Sequence, residues 1–361
     1  MTVRWRVRGR GLGRGLLAVR PDGMGDVLLT GPAIRAMAAS GRDVTFAAGP
    51  AGRAAAALLP GVKRVVEWHV PWIDPQPGPT GQASVRRATR LLRRVLAADA
   101  VIFTSFHQSP LPAALVLRMA GVSRISAISD DYPGSLLDVR HRMTADIPEA
   151  ERNLSLAGAA GFGLPPGDSG ALAITHDLPE CRGLTGPGPY IVVHPGASVP
   201  ARRPSSGQAA AIIAALAAAG HRVLMTGSAA EGTEADRIAA ACGAARPGVL
   251  NLAGRTSLPM LAAVLAGAQV VVVPNTGAAH LAAAVGTPVV SLFAPVVPAA
   301  RWAPYGVPAI VLGDQQAACA GSRARHCPVS GHPCLNGIDP GQVVAAVQVL
   351  ARPLPGERMT G

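Results

Sequence analysis

The chain has 361 residues, a formal net charge of +12, and is 49% hydrophobic but only 3% aromatic. That length suggests two domains, and that apolar content excludes a disordered protein. The positive charge is nearly all arginine, with Lys63 the only lysine. The arginines are scattered and not interleaved with aromatics, which argues against a nucleic-acid partner and leaves anionic substrates or, at most, peripheral contact with a lipid surface.

Residues 1–14 are basic but lack the apolar core of an export signal, so they read as a flexible tail on a cytoplasmic protein. Leu16 to Val19 is the first strand. It runs into RPDGMGD (20–26), after which a helix is expected from Val27 to about Ala39 with Asp26 as its N-cap. The glycine-rich run at 9–15 precedes this strand instead of following it, so it is no dinucleotide fingerprint. Strands follow at Val44–Ala47, Val65–Val66 and Val101–Phe103, with helices at Arg86–Ala97 and Leu111–Met119.

Leu178–Pro189, rich in proline and glycine, reads as an interdomain linker. Beyond it come strand Tyr190–Val193, helix Gln208–Ala219, strand Arg222–Met225, helix Glu234–Cys242, strand Val249–Leu250 and helix Leu258–Ala266. Four valines, Val270–Val273, make a strand buried on both faces, ended by Pro274. A polar turn at 275–277, a short helix Ala278–Val285 and a strand Val289–Phe293 complete the unit. Such a unit sets the free N–H groups of a helix start just past a strand end, where α/β proteins hold phosphates. Thr256–Ala300 carries no Asp, Glu, Lys or Arg, yet Pro259, Pro274, Gly286 and Pro288 interrupt it too often for a membrane span. A last helix, Gly341–Ala351, is in a position to cross back to the first domain.

The expected organisation is therefore α/β: a tail (1–14), a first Rossmann-like domain (15–177), a linker (178–189), a second Rossmann-like domain (190–345) and a terminal helix and tail (346–361). Five cysteines, an odd number, agree with a reducing compartment. Cys319, Cys327, Cys334, His326 and His332 cluster near the C-terminus, but their spacing matches no zinc motif. They read as a structural loop, and no metal or cofactor is expected.

Four segments in order, RPDGMGDVLLTGPAIRAM (20–37), HPGASVPARRP (194–204), TGSAAEGTEA (226–235) with NLAGRTSLPMLAAVLAGA (251–268), and NTGAAHLAAAVGTPVVSLF (275–293), resemble the motifs of the family 9 glycosyltransferases. The resemblance runs from Leu16 to about Val347 and is weakest over 60–175. It implies a GT-B fold, two Rossmann-like domains facing across a cleft, the first (15–177) acceptor-binding and the second (190–345) nucleotide-sugar-binding, and transfer of a heptose from an ADP-sugar with inversion. Asp26 matches the family's base, with Asp22 a rival four residues away. In the donor domain the resemblance implies nucleotide-sugar contacts from Gly196, Ser198, Arg202, Thr226, Glu231, Gly254, Asn275, Thr276, Gly277 and His280. Arg202 stands where the family usually has lysine, and Asn275 where it commonly has aspartate. Arg203 reads as a solvated neighbour. By family default the acceptor is the lipopolysaccharide core. The composition suits a high-GC genome and with it a small-molecule acceptor, aminoglycoside-like or nucleoside. A non-catalytic nucleotide-sugar-binding protein is the alternative of another class, favoured by Asn275 and opposed by Asp26.

Overall fold

The computed structural model describes residues 15–74, 77–143, 145–175 and 177–351. The expected flexible tail at 1–14 and the last ten residues lie outside them. The chain divides into two units. The first comprises the described residues up to Ala57 together with Gly61–Thr144 and Arg152–Gly167, and the second comprises Leu58–Pro60, Ala145–Glu151 and the chain from Asp168 onward.

In the first unit the strands are β1 (Leu16–Arg20), β2 (Val44–Ala48), β3 (Val62–Glu67), β4 (Asp99–Ile102), β5 (Arg124–Ile128) and β6 (Val139–His141). They form one parallel sheet in the order β3-β2-β1-β4-β5-β6. The helices are α1 (Met24–Leu28), α2 (Gly31–Ala38), α3 (Arg53–Ala56), α4 (Gln82–Arg93), α5 (Leu111–Ala120) and α6 (Glu149–Ala159), the last running across the division between units. Leu17, Val19, Ala100, Ile102 and Ile125 of the sheet are buried with Leu92 of α4 and Leu117 of α5.

Two local expectations are corrected here. The single helix from Val27 to Ala39 is two helices: Pro32 has no N–H to continue the first, so it opens α2, while the Thr30 hydroxyl donates to the Val27 carbonyl at 2.6 Å. Asp26 is not the N-cap. That position is Gly23, and Asp26 lies in the first turn of α1 with its side chain engaged elsewhere.

From Asp168 onward, the first helix of the second unit is α7 (Arg182–Thr185), inside the stretch expected as a linker, where Arg222 donates to the Pro187 carbonyl at 2.9 Å. Its strands are β7 (Ile191–Val193), β8 (Val223–Met225), β9 (Val249–Asn251), β10 (Val271–Pro274), β11 (Val289–Leu292) and β12 (Ala309–Leu312). Their order, β12-β11-β10-β7-β8-β9, repeats the first sheet's winding and is again parallel throughout. The helices are α8 (Ser206–Ala218), α9 (Gly232–Ala241), α10 (Leu258–Ala266), α11 (Gly277–Ala284), α12 (Ala299–Trp302), α13 (Pro333–Asn336) and α14 (Pro340–Leu350). Val343 and Val347 of α14 join the core formed by β7, β8, β10 and α8, so this helix packs on its own unit.

In each sheet the winding reverses between its first and fourth strands, β1 beside β4 and β7 beside β10. The connections there leave in opposite directions and open a crevice past the strand ends, where open α/β sheets bind ligands.

Candidate active site

At the first unit's reversal, β1 ends in Arg20, which is fully buried although it finishes an otherwise apolar strand. A buried guanidinium needs compensating charge. Arg20 finds it twice: its Nε lies 2.6 Å from Asp22 Oδ2, and its terminal nitrogen donates to Asp26 Oδ1 at 2.8 Å. The same nitrogen reaches the Ser105 hydroxyl, past β4, at 2.9 Å. Asp22 is 9% exposed and accepts a further bond from Gln108 at 2.6 Å, whereas the Asp26 side chain is 30% exposed. Burial, reinforced by the Asp26 charge, raises the Asp22 carboxyl above its ordinary value against the pull of Arg20, Gln108 and His107.

At the second unit's reversal, the loop after β7 carries His194 and Gly196. His194 is buried, with Nδ1 3.1 Å from the Thr226 hydroxyl beyond β8. Burial lowers its pKa, and the nearby Glu231 charge only partly opposes that. Burial would raise Glu231, but bonds from the Ser228 N–H and hydroxyl, both 2.7 Å, with His194 and Arg203 nearby, hold it below the usual carboxylate range. Any Cβ on Gly196 would come within 2.0 Å of Glu231 Oε1, so only glycine lets the carboxylate sit there. Gly254 (φ +73°) closes the third loop against Ala229, 3.0 Å from where its Cβ would stand. Gly196, Arg203, Thr226 and Glu231 line a cavity of about 190 Å³.

Asn275 follows β10, 4% exposed, with an amide nitrogen that has no hydrogen-bond partner among the described residues. Thr276 caps α11 in an extended conformation without spending its hydroxyl on the cap, so the Gly277 and Ala278 N–H groups open the helix. One turn on, His280 is 3% exposed and its Nδ1 is also without a partner among those residues. Burial, helped by the Arg202 charge, lowers this imidazole to about 4, so it is neutral near pH 7.

The two arginines of the motif thus part company: Arg202 stands by His280, while Arg203, read from sequence as a solvated neighbour, stands by Glu231. Ser198 is exposed in the loop after β7. Sequence reasoning missed Arg20, Ser105, Gln108 and His194. An arginine closing a buried strand, two and six residues before acids, was the available signal for Arg20; nothing local marks Ser105 or Gln108. The C-terminal thiols do come together. Burial, with Cys319 and Cys327 beside it, pushes Cys334 up to about 12, and all five cysteines are free. Among the described residues no group of three or more His, Cys, Asp or Glu side chains is arranged to hold a metal ion.

Two parallel sheets of identical winding, each with polar groups gathered at its reversal, define a GT-B glycosyltransferase fold. The chain belongs to glycosyltransferase family 9 (heptosyltransferase), whose model matches residues 86–332. A stretch of 108 residues is 35% identical to lipopolysaccharide heptosyltransferase 3 of Escherichia coli, covering 29% of this chain and 31% of that protein. The matched stretch is therefore about a third of the curated relative. Among solved structures, the E. coli ADP-heptose lipopolysaccharide heptosyltransferase II is 22% identical, with a TM-score of 0.71 over 93% of this chain and 98% of that one. A family 9 glycosyltransferase from Veillonella parvula gives 0.73 at 15% identity over 93% and 97%. An E. coli heptosyltransferase with ADP-2-deoxy-2-fluoro heptose gives 0.64 at 22% identity over 83% and 94%.

Proposed function

We propose that the protein transfers a heptose from ADP-heptose to an acceptor hydroxyl with inversion at the anomeric carbon, with Asp26 as general base. The observation that carries this reading is the Asp26 carboxylate itself, part-exposed past β1 while Arg20 engages one of its oxygens. Asp26 takes the proton of the acceptor hydroxyl as its oxygen attacks the sugar's anomeric carbon. The bond from that carbon to the diphosphate breaks on the opposite face, and ADP leaves with the electron pair. Arg202 and the Gly277 and Ala278 N–H groups at the start of α11 offset the charge gathering on the diphosphate. Glu231, ionised and backed by Ser228, accepts from the ribose hydroxyls. Asn275 offers an amide donor where a carboxylate would repel phosphate, which suits donor binding without a bridging metal. Gly196, Ser198, Thr226, Gly254, Thr276 and the neutral His280 complete the donor contacts.

The relatives' names favour a lipopolysaccharide core acceptor. No helix among the described residues is long and apolar enough to cross a membrane, which suits a cytoplasmic enzyme working on acceptor presented to it. The test is transfer from ADP-heptose to deacylated lipopolysaccharide core, with product mass and anomeric configuration read by mass spectrometry and NMR. A retained configuration contradicts a single displacement. Transfer only to a small aminoglycoside or nucleoside acceptor overturns the acceptor assignment while leaving the chemistry intact.

A further inference from the structure

The buried group behind Asp26 is more elaborate than a base requires. Three charged side chains, Arg20, Asp22 and Asp26, meet at the end of β1, and only Asp26 is substantially exposed. A cation bonded to a general base holds its carboxylate ionised and so makes it a poorer proton acceptor. Left alone with Arg20, Asp26 would be oriented well and weakened at once. Asp22 removes the conflict. It lies against the same guanidinium at 2.6 Å, is itself too buried to reach solvent freely, and is fixed by Gln108, whose own Oε1 accepts from the Ser105 N–H at 3.1 Å.

We infer that Asp22 is a positioning residue which neutralises Arg20 so that the arginine can fix Asp26 in place without stripping it of basicity. Arg20 supplies direction, because one of its terminal nitrogens donates to both Asp26 Oδ1 and the Ser105 hydroxyl, and Asp26 Oδ2 is the oxygen left for the incoming proton. Asp22 supplies the second negative charge. With both carboxylates ionised the trio carries a net −1, so a proton arriving at Asp26 relieves repulsion from Asp22 instead of exposing an unpaired anion. The charged or titratable groups around Asp22 are Arg20, Asp26 and His107. Burial above all, with the Asp26 charge adding to it, raises the Asp22 carboxyl, while Arg20, Gln108 and His107 pull it down.

This inference rests on Asp26 being the base, and the experiment separates the two. Side-chain carboxyl carbons are labelled with ¹³C in aspartate, the Asp26 signal is assigned by its loss in Asp26→Asn, and the full-length protein is titrated without donor or acceptor. In Asp22→Asn, where Arg20 is no longer neutralised, the Asp26 signal should titrate at lower pH than in the parent, by about one pH unit or more. Turnover should fall by about tenfold, less than the loss expected on removing the base itself, and the acid limb of its pH profile should move the same way. An Asp26 signal that titrates at the same pH in both proteins overturns the inference, even if Asp26→Asn is inactive. Loss of all turnover in Asp22→Asn with an unmoved Asp26 signal also overturns it and makes Asp22 the base. Should Asp22→Asn not fold, Gln108→Met tests the same point: it removes a bond that favours the ionised form of Asp22, and it must shift the Asp26 signal in the same direction, by less, or the inference fails.

Discussion

The two crevices share a topology and almost nothing else. At the first reversal the polar groups are few, mostly ionisable and held against one another: Arg20 lies within 2.9 Å of Asp22, Asp26 and Ser105. At the second, beside Glu231 and the two arginines, stand neutral or backbone groups: an Asn275 amide nitrogen without a partner among the described residues, an uncharged His280, a helix start and loops lined by glycine. Holding a proton acceptor in one place needs rigid opposed charges with satisfied bonds. Receiving a charged ligand needs the reverse, donors left open so that the ligand completes them. On the function proposed above, one winding serves two chemical purposes, decided by the residues following the strands.

If this contrast is right, damage to the first crevice should strike the rate and damage to the second should strike binding. Asp26→Asn should give the largest effect, a turnover loss of roughly 10²–10⁴-fold with donor affinity unchanged. Near-normal turnover would hand the proton to another group. Arg202→Ala should weaken ADP binding by roughly 10- to 100-fold, the worth of a charge-assisted bond, and Arg202→Lys should recover part of it; unchanged ADP affinity by calorimetry would remove Arg202 from the phosphate site. Asn275→Asp should weaken donor binding in EDTA by about tenfold, well inside the roughly 4 kcal/mol of two charges at contact in a partly wet site. Tighter binding by the aspartate form, or a magnesium requirement in the parent, would break this account of the turn.

A further expected effect is on stability instead of on rate or binding. The pKa of His280 is lowered on folding from 6.5 to about 4, so the unfolded chain takes up that proton first as pH falls. The neutral imidazole's contribution is intact above about 6.5 and is lost toward 4, up to about 3 kcal/mol; His194 acts in the same direction. His280→Gln should therefore show a shallower fall in urea midpoint between about pH 7 and pH 5. Parallel falls in the two proteins would assign the acid sensitivity elsewhere.

Much of this was readable from the sequence where the signal is local. Helix Leu258–Ala266 is found as expected, and the valine strand, polar turn and helix of 270–285 fall within a residue of expectation. Continuous apolar runs and proline or glycine punctuation carry that information within a few residues. What was not readable depends on partners far along the chain. Asp26 looked like a helix cap because caps are local, whereas its bond to Arg20 depends on a strand end, and Arg20 in turn bonds Ser105, 85 residues away. The half-buried strand Val139–His141 was not readable because only one of its three residues is apolar, whereas the equally short Val249–Asn251 begins with two.

The glycines of the second crevice carry a last consequence, for how such an enzyme can change. Where Gly196 meets the Glu231 carboxylate and Gly254 meets the Ala229 backbone, the wall has no room for another side chain. A wall of that kind cannot be reshaped by exchanging one amino acid for a larger one. New donor preferences, in evolution or in engineering, have to be written at positions that still have freedom, such as the exposed Ser198 and Arg203, while the glycine frame is inherited whole.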